Sequence, residues 1–79
     1  MERANRLSAL RAGDAAYVTG IDAACNMFRR LEDIGFTRGA RVCCLFAAPG
    51  GEPKAYLVRG AVMALRYEDA RFVRVRSAE

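Results

Sequence analysis

The chain has 79 residues, 53% of them hydrophobic and 28% charged, so it can build one small core near the lower size limit for core-driven folding. No window approaches the roughly 20 continuous apolar residues that a membrane-spanning helix needs, and the charge-interrupted segment MERANRLSALRAGD does not read as a secretory signal. We therefore expect a single domain over residues 1–79 that is cytoplasmic and has no direct membrane insertion.

The cysteines and the net charge indicate the cellular compartment and the kind of partner. Cys25, Cys43 and Cys44 are odd in number and two are adjacent, which does not suit a disulfide framework and favours a reducing compartment. The net charge of +4 comes almost wholly from arginine, and 9 acidic residues are interspersed. This thin electrostatic footprint disfavours nucleic acid, so the leading expectation is no nucleic acid partner.

The first half of the chain predicts a strand followed by a helix. Leu7 and Leu10 stand at helical spacing, and a strand is expected over 15–21, with Gly20 permitting a bulge. Asp22 is suited to cap the next helix, because its carboxylate can accept backbone N–H groups of the first turn. The expected helix shows one apolar face, made of Ala24, Met27, Phe28, Leu31 and Ile34.

The end of this helix is marked by glycine. Gly35 stands where a left-handed residue would terminate the helix, and Phe36 can then fold back on Leu31. A side chain at position 35 would meet a penalty of roughly 1 kcal/mol for that backbone conformation. Gly39 marks a second turn, which leads into the next strand.

The second half reads as strands joined by turns. RVCCLF, KAYLVR and AVMALR are strand-like, and Gly60 between the last two indicates a tight hairpin. One helical turn is expected over 67–70, followed by a short strand that contains Val73 and Val75. These patterns predict a mainly β fold with one inserted α-helix, in which five strands close into a small barrel.

The order of these residues resembles the FeoA family. The resemblance covers most of the chain and rests on Leu7, Leu10, Gly13, Arg30-Leu31, Ile34-Gly35-Phe36-Thr37, Gly39, Val42, Ala48-Pro49, Gly51, Pro53, Val58-Arg59-Gly60, Ala64-Leu65-Arg66, Ala70, Val73 and Val75. It departs from the family pattern at three positions, where Arg38 replaces a frequent proline, Gly50 an apolar residue and Glu52 an aspartate. The loss of an apolar tip at Gly50 argues against a binding role for that loop.

The resemblance implies an SH3-like barrel and a role as an accessory protein of ferrous iron uptake. The implied partner is the FeoB-type membrane transporter, which carries a G-protein domain. The same fold is the terminal domain of iron-dependent repressors, but this chain lacks the helix-turn-helix and dimerisation parts of such a repressor. Two alternatives stay open, a small-barrel nucleic-acid-binding protein that uses Tyr56 and Tyr67, and a stand-alone repressor-type protein-interaction domain.

Catalytic and metal chemistry are not predicted. The chain has no histidine, so a histidine base or a serine-histidine pair is impossible. Cys43 and Cys44 point to opposite faces of a strand, and the three cysteines lack CxxC-type ligand spacing. The only lysine, Lys54, is not in a phosphate-binding GxxxxGK[ST] motif. We therefore expect no enzyme activity, no metal site and no cofactor.

Alternation along the later strands predicts a binding surface. The inward positions should be Val42, Cys44, Phe46, Tyr56, Val58, Met63, Leu65, Val73 and Val75. The outward positions should be polar, yet they hold Cys43, Leu45, Leu57, Val62 and Phe72. Exposed apolar patches usually mark interaction sites, so Leu45, Leu57, Val62 and Phe72 are candidate contacts for a heterologous partner or a homodimer. Burial under the helix or the N-terminal segment is the structural alternative, and the helix arginines Arg29 and Arg30 form a second candidate surface.

Overall fold

The computed structural model describes residues 5–78 and shows five antiparallel strands with two short α-helices. The strands are β1 (Ala15–Ile21), β2 (Arg41–Ala47), β3 (Lys54–Val58), β4 (Ala61–Leu65) and β5 (Val73–Ser77). The helices are α1 (Phe28–Ile34) and α2 (Tyr67–Ala70), and a 3₁₀ helix over Leu7–Ala9 forms what we call the N-terminal turn. The predicted mainly β fold with one principal inserted helix is confirmed. Residues 1–4 of the segment tested for a secretory signal lie outside the described residues.

All five strands belong to one sheet in the order β4-β3-β2-β1-β5, so β4 and β5 lie at its two edges. The sheet wraps a single core of apolar side chains, to which the N-terminal turn contributes Leu7 and α1 contributes Leu31. Within residues 5–78, no helix is long and apolar enough to span a membrane.

Strand β1 has the predicted bounds and the predicted irregularity. Its register against β5 shifts between Val18 and Gly20, which is the bulge that Gly20 was expected to permit. On either side of the bulge, Val18 and Ile21 both reach the core. The bulge therefore keeps the apolar side chains of β1 on the inner face.

The predicted start of the helix was wrong. Asp22 does not cap α1, which begins at Phe28 after the N-cap residue Met27. The intervening residues form single turns, in which the Cys25 N–H donates to the Asp22 carbonyl and the Phe28 N–H to the Cys25 carbonyl. Ala24 is exposed and is not part of the apolar helix face. Asp and Asn favour local turns over continuous helix, which agrees with the short three-residue spacing of these bonds.

The exit of α1 is as predicted. The Phe36 N–H donates to the Leu31 carbonyl at 3.0 Å and the Gly35 N–H to the Glu32 carbonyl at 3.1 Å, which is the Schellman arrangement. Gly35 has φ of +135° and Phe36 is buried in the core. Gly39 also has a positive φ, and its N–H donates to the Val18 carbonyl, which joins this turn to β1.

Strand β2 contains a bulge that the sequence pattern did not reveal. Cys44 pairs with Tyr56 of β3, but Phe46 pairs with the next residue, Ala55, so Leu45 is an extra residue in the ladder. Alternation after the bulge is shifted by one position. The prediction that Phe46 faces the core was therefore wrong, and its side chain is 58% exposed. The other predicted inward residues are buried, except Met63, which is partly buried against the core.

Strands β3 and β4 form the predicted tight hairpin. Arg59 and Gly60 are the two loop residues and both have positive φ, as a type I′ turn requires. The flanking residues Val58 and Ala61 pair directly, and the register stays regular to Lys54 and Leu65. Gly60 occupies the second loop position, with φ of +80°.

Candidate functional site

The outer side of β2, β3 and β4 carries a continuous group of apolar side chains. Cys43 pairs with Leu57, which in turn pairs with Val62, so these three residues form one row across the strands. The next row consists of Phe46, Ala55 and Ala64. We call the set Cys43, Leu45, Phe46, Leu57 and Val62 the outer apolar face.

Three residues of the outer apolar face are substantially open to solvent. Leu45 is 39% exposed, Phe46 58% and Val62 63%, while Cys43 and Leu57 between them are half-buried. Large apolar side chains that are exposed side by side usually mark an interaction surface. The structure therefore brings Leu45, Leu57 and Val62 together, as the sequence predicted, and adds Phe46.

Phe72 is not part of this face. It precedes β5, at the opposite edge of the sheet from β4. Its ring is partly buried against the core and is covered by the Arg71 guanidinium at 4.3 Å from the ring centre. Phe72 therefore packs partly against the core and does not contribute to the outer apolar face.

The helix arginines form a separate surface. Arg29 and Arg30 are exposed on α1. Within residues 5–78, neither guanidinium lies within ion-pair distance of a carboxylate. Both guanidinium groups can pair with an acidic partner, but the exposed apolar side chains that usually mark a protein interface lie on the β strands instead.

One end of the outer apolar face is cationic. The Arg41 guanidinium donates to the Cys43 thiol sulfur, with Nη1 3.2 Å from Sγ. The Arg59 guanidinium donates to the Thr37 hydroxyl at 3.2 Å, and its aliphatic stem lies against Gly35, where a Cβ would come within 3.0 Å of the Arg59 Cγ. Sequence reasoning missed both arginines, because only the pairing of the strands brings positions 41 and 59 to the same end of the face.

The three cysteines differ in accessibility. Cys25 and Cys44 are buried, whereas Cys43 is partly exposed on the outer apolar face. Burial raises the pKa of the Cys44 thiol, an effect that Lys54 opposes and Asp14 reinforces. Burial also raises the pKa of the neighbouring Tyr56 hydroxyl, with a smaller contribution from Cys44. The interpretation of Cys44 as a packing residue agrees with these surroundings.

A shallow pocket of about 310 Å³ lies between the N-terminal turn and the β2–β3 loop. Its charged groups hold segments of the fold together: the Lys54 ammonium donates to the Ser8 carbonyl at 2.9 Å and to the Leu10 carbonyl at 2.6 Å. The Glu52 carboxylate accepts the Tyr67 N–H at 3.1 Å. Across residues 5–78, no three metal-ligating side chains converge on one point. The outer apolar face therefore remains the strongest candidate site.

Comparison with known proteins matches residues 5–77 to the FeoA domain. No curated protein matched the sequence. The solution structure of the FeoA protein from Chlorobium tepidum is 36% identical, with a TM-score of 0.85 over 94% of this chain and 70% of that one.

A second similar structure is the zinc complex of FeoA from Stenotrophomonas maltophilia, described as a procaryotic SH3 domain protein. It is 34% identical, with a TM-score of 0.81 over 91% of this chain and 89% of that one. A manganese-dependent transcriptional repressor is also similar, at 26% identity and a TM-score of 0.79, over 91% of this chain but only 40% of the repressor. The predicted SH3-like barrel is confirmed. The chain belongs to the FeoA domain family.

Proposed function

We propose that this chain is a non-catalytic cytoplasmic accessory protein of ferrous iron uptake, and that it binds a FeoB-type transporter through the outer apolar face. Membership of the FeoA domain family supports the link to iron uptake. The similar Stenotrophomonas protein has been described as a candidate ferrous iron transport activating factor. Iron is here the cargo of the transporter.

The observation that carries the proposal is the outer apolar face itself. Leu45 and Phe46 on β2 and Val62 on β4 expose apolar surface, and the half-buried Leu57 of β3 lies between the two strands. Water disfavours such surface by roughly 25 cal/mol for each Å². Covering this surface with a partner would release that free energy. On the opposite side of the same strands, Val42, Cys44, Tyr56, Val58 and Leu65 are buried in the core, so the core already has its own set of apolar side chains.

A co-purification experiment tests the proposed contact. The chain is incubated with the cytoplasmic part of a FeoB-type transporter, and the retained fraction is compared between the native chain and Val62→Asp. The introduced charge should abolish retention, because an unpaired carboxylate in an apolar interface is strongly unfavourable. Ala23→Asp is the matched control, since it adds the same charge at an exposed position of the loop after β1.

Alkylation gives an independent readout of the same surface. Cys43 lies within the outer apolar face, whereas Cys25 and Cys44 are buried and serve as internal controls. Bound transporter should slow alkylation of Cys43 only. If the native chain is not retained, and deletion of its gene leaves ferrous iron uptake unchanged, the proposed function is wrong.

A further inference from the structure

We propose that the free edge of β4 takes up an extended segment of a partner protein as a sixth strand. The segment is apolar at alternating positions and acidic at the end that lies beside Arg59. This inference deepens the proposed function, because it specifies how the outer apolar face would hold its partner. Its test below uses a peptide and does not depend on iron transport.

The outer edge of β4 has no backbone pairing partner in the part of the chain that the structure describes. Within residues 5–78, β4 pairs with β3 alone, and none of its backbone groups bonds outside that hairpin. Its sequence, AVMAL, contains no charge and no proline, which are the residues that usually prevent pairing at an exposed edge. The strand therefore offers a template for another strand.

The geometry of the hairpin identifies the free backbone groups. In a two-residue hairpin the flanking pair, Val58 and Ala61, exchanges hydrogen bonds, and bonded and non-bonded pairs then alternate. Met63 pairs with Tyr56 at a bonded position, so Val62 and Ala64 occupy the non-bonded positions. The N–H and C=O groups of Val62 and Ala64 consequently point away from β3. These four groups can accept and donate the hydrogen bonds of an added strand.

The side chains of the same two residues favour an apolar partner. Val62 and Ala64 are exposed on the outer side of β4, and residues paired across two strands point to the same side of a sheet. Partner residues opposite Val62 and Ala64 would therefore continue the outer apolar face. The residue between them would lie beside Met63, which is half-buried against the core. Main-chain bonds with side-chain selection at alternate positions are the usual basis of recognition by strand addition.

The charges at the two ends of the edge define the acidic end of the partner. At the hairpin end, Arg59 and Arg41 have no carboxylate within ion-pair distance among residues 5–78. At the other end, Arg66 lies 3.9 Å from the Glu52 carboxylate and is partly neutralised. An acidic residue in the partner, just beyond the position opposite Val62, would complement the uncompensated charge of Arg59.

The same charges disfavour a second copy of the chain as the occupant. Antiparallel self-pairing centred on Met63 would place Gly60 of one copy opposite position 66 of the other. Arg66 of one copy would then lie beside Arg59 of the second copy. Like charges on neighbouring strands are destabilising, so an acidic heterologous segment fits this edge better.

The experiment uses the full chain, labelled with ¹⁵N, and a synthetic nonapeptide in which valine and threonine alternate. Two aspartates stand at its C-terminal end, which lies beside Arg59 when the peptide is antiparallel to β4. Amide hydrogen exchange is followed by NMR with and without peptide. When about nine-tenths of the chain is bound, exchange at Val62 and Ala64 should slow about tenfold, because only the free fraction exchanges. The Met63 amide, already bonded to β3, is the internal control and should change little.

A second peptide has the same side chains but carries N-methyl groups at the residues opposite Val62 and Ala64. It removes the added-strand hydrogen bonds without altering the protein, and it should not bind. Equal binding of the methylated peptide would mean contact by side chains alone and would overturn strand addition. Absence of binding at millimolar concentrations of the first peptide would also overturn strand addition by a partner. Protection of Val62 that increases with protein concentration, without any peptide, would overturn it as well, because it would identify a second copy as the occupant.

Charge reversal tests the acidic end. Arg59→Glu should weaken the aspartate peptide by up to about fivefold, and it should favour a peptide ending in lysines by a similar factor. Arg76→Glu on β5 carries the same charge change at the opposite edge and should leave both affinities unchanged. If Arg59→Glu does not fold, Arg41→Glu replaces it. Equal affinities for both peptides in native and variant chains would overturn the acidic requirement.

These outcomes are separable from those of the proposed function. Peptide uptake without retention of a FeoB-type transporter would support strand addition and refute the transporter as its source. Retention of the transporter with no protection of Val62 and Ala64 would support the proposed function and refute strand addition.

Discussion

The two edges of the sheet are treated differently by the fold. At β5, the Val75 N–H donates to the Asn5 carbonyl, and Arg6 forms a bridge with Arg74. The N-terminal turn then places Leu7 in the core beside this edge. At β4, nothing in residues 5–78 covers the strand, although it is uncharged and apolar.

The β5 edge is therefore stabilised by contacts with the N-terminal segment, whereas the β4 edge has no such contacts within residues 5–78. An exposed apolar edge promotes aggregation unless it is short, charged or covered, and the N-terminal segment supplies that cover at β5. Among the described residues 5–78, the same protection is absent at β4, where the outer apolar face also ends. A partner that covers β4 would give both edges equivalent protection.

The largest expected effect comes from the cover of the β5 edge. Leu7→Ala should lower the free energy of unfolding by about 2–5 kcal/mol, because it leaves a cavity at a fully buried position. Chemical denaturation followed by circular dichroism measures this change. Leu45→Ala on the outer apolar face is the matched control and should change stability by less than about 1 kcal/mol. Equal losses of stability in Leu7→Ala and Leu45→Ala would mean that the N-terminal turn contributes no more to the core than the outer apolar face does.

The next largest effect is expected where α1 meets the hairpin end of β4. Gly35→Ala should destabilise the chain by about 2 kcal/mol, since its positive φ is unfavourable for alanine and the new Cβ would lie 3.0 Å from the Arg59 Cγ. Gly39→Ala has a comparable φ but nothing within 4 Å of the new Cβ, so about 1 kcal/mol is expected. Thermal unfolding of the two variants measures the difference. If Gly39→Ala is the more damaging, crowding by Arg59 is not important.

A smaller effect should appear at alkaline pH on the inner side of the strands. Burial raises the pKa of the Cys44 thiol above its ordinary value of 9.0. As the pH rises through that value, the unfolded chain loses the proton first, so the stability present below pH 9 declines. We expect the free energy of unfolding in urea titrations to fall between pH 8 and pH 9.5, and to fall less in Cys44→Ala. The partly exposed Cys43 provides the control, because Cys43→Ala should retain the decline.

The smallest expected effect on stability is at the open edge. Val62→Asp should alter the free energy of unfolding by about 0.5 kcal/mol or less, because the side chain is 63% exposed. Urea denaturation measures it, with Val58→Asp on the inner side of the same hairpin as the contrasting variant. Val58 is fully buried, and its replacement should prevent folding. Marked destabilisation by Val62→Asp would show that β4 contributes its outer side to the core.

Local patterns were sufficient to predict most of the elements. The strand over Ala15–Ile21, the exit of α1 at Gly35 and the hairpin turn at Gly60 each depend on a few neighbouring residues, and the structure contains all three. The start of α1 was not predictable to the same degree, because Asp22 suits a single turn as well as a helix cap. The composition of residues 22–27 does not separate these two states.

Only part of the outer apolar face could be predicted from the sequence. Leu45, Leu57 and Val62 follow from simple alternation, but Phe46 reaches the outer apolar face through the bulge at Leu45. A bulge depends on the register of two strands and leaves no clear signal in one of them. Phe72 has the correct alternation but lies at the other edge, because strand order, not spacing in the sequence, decides which residues are neighbours.

The sequence by itself determined the elements, the membership of a family and an excess of apolar side chains on one side of the later strands. Those properties depend on short-range backbone preferences and on residue type. Only the tertiary structure decided that the outer apolar face ends at an edge strand, β4, with Arg41 and Arg59 beside it. That arrangement arises from pairing between strands that are distant in the chain, and no local pattern encodes it.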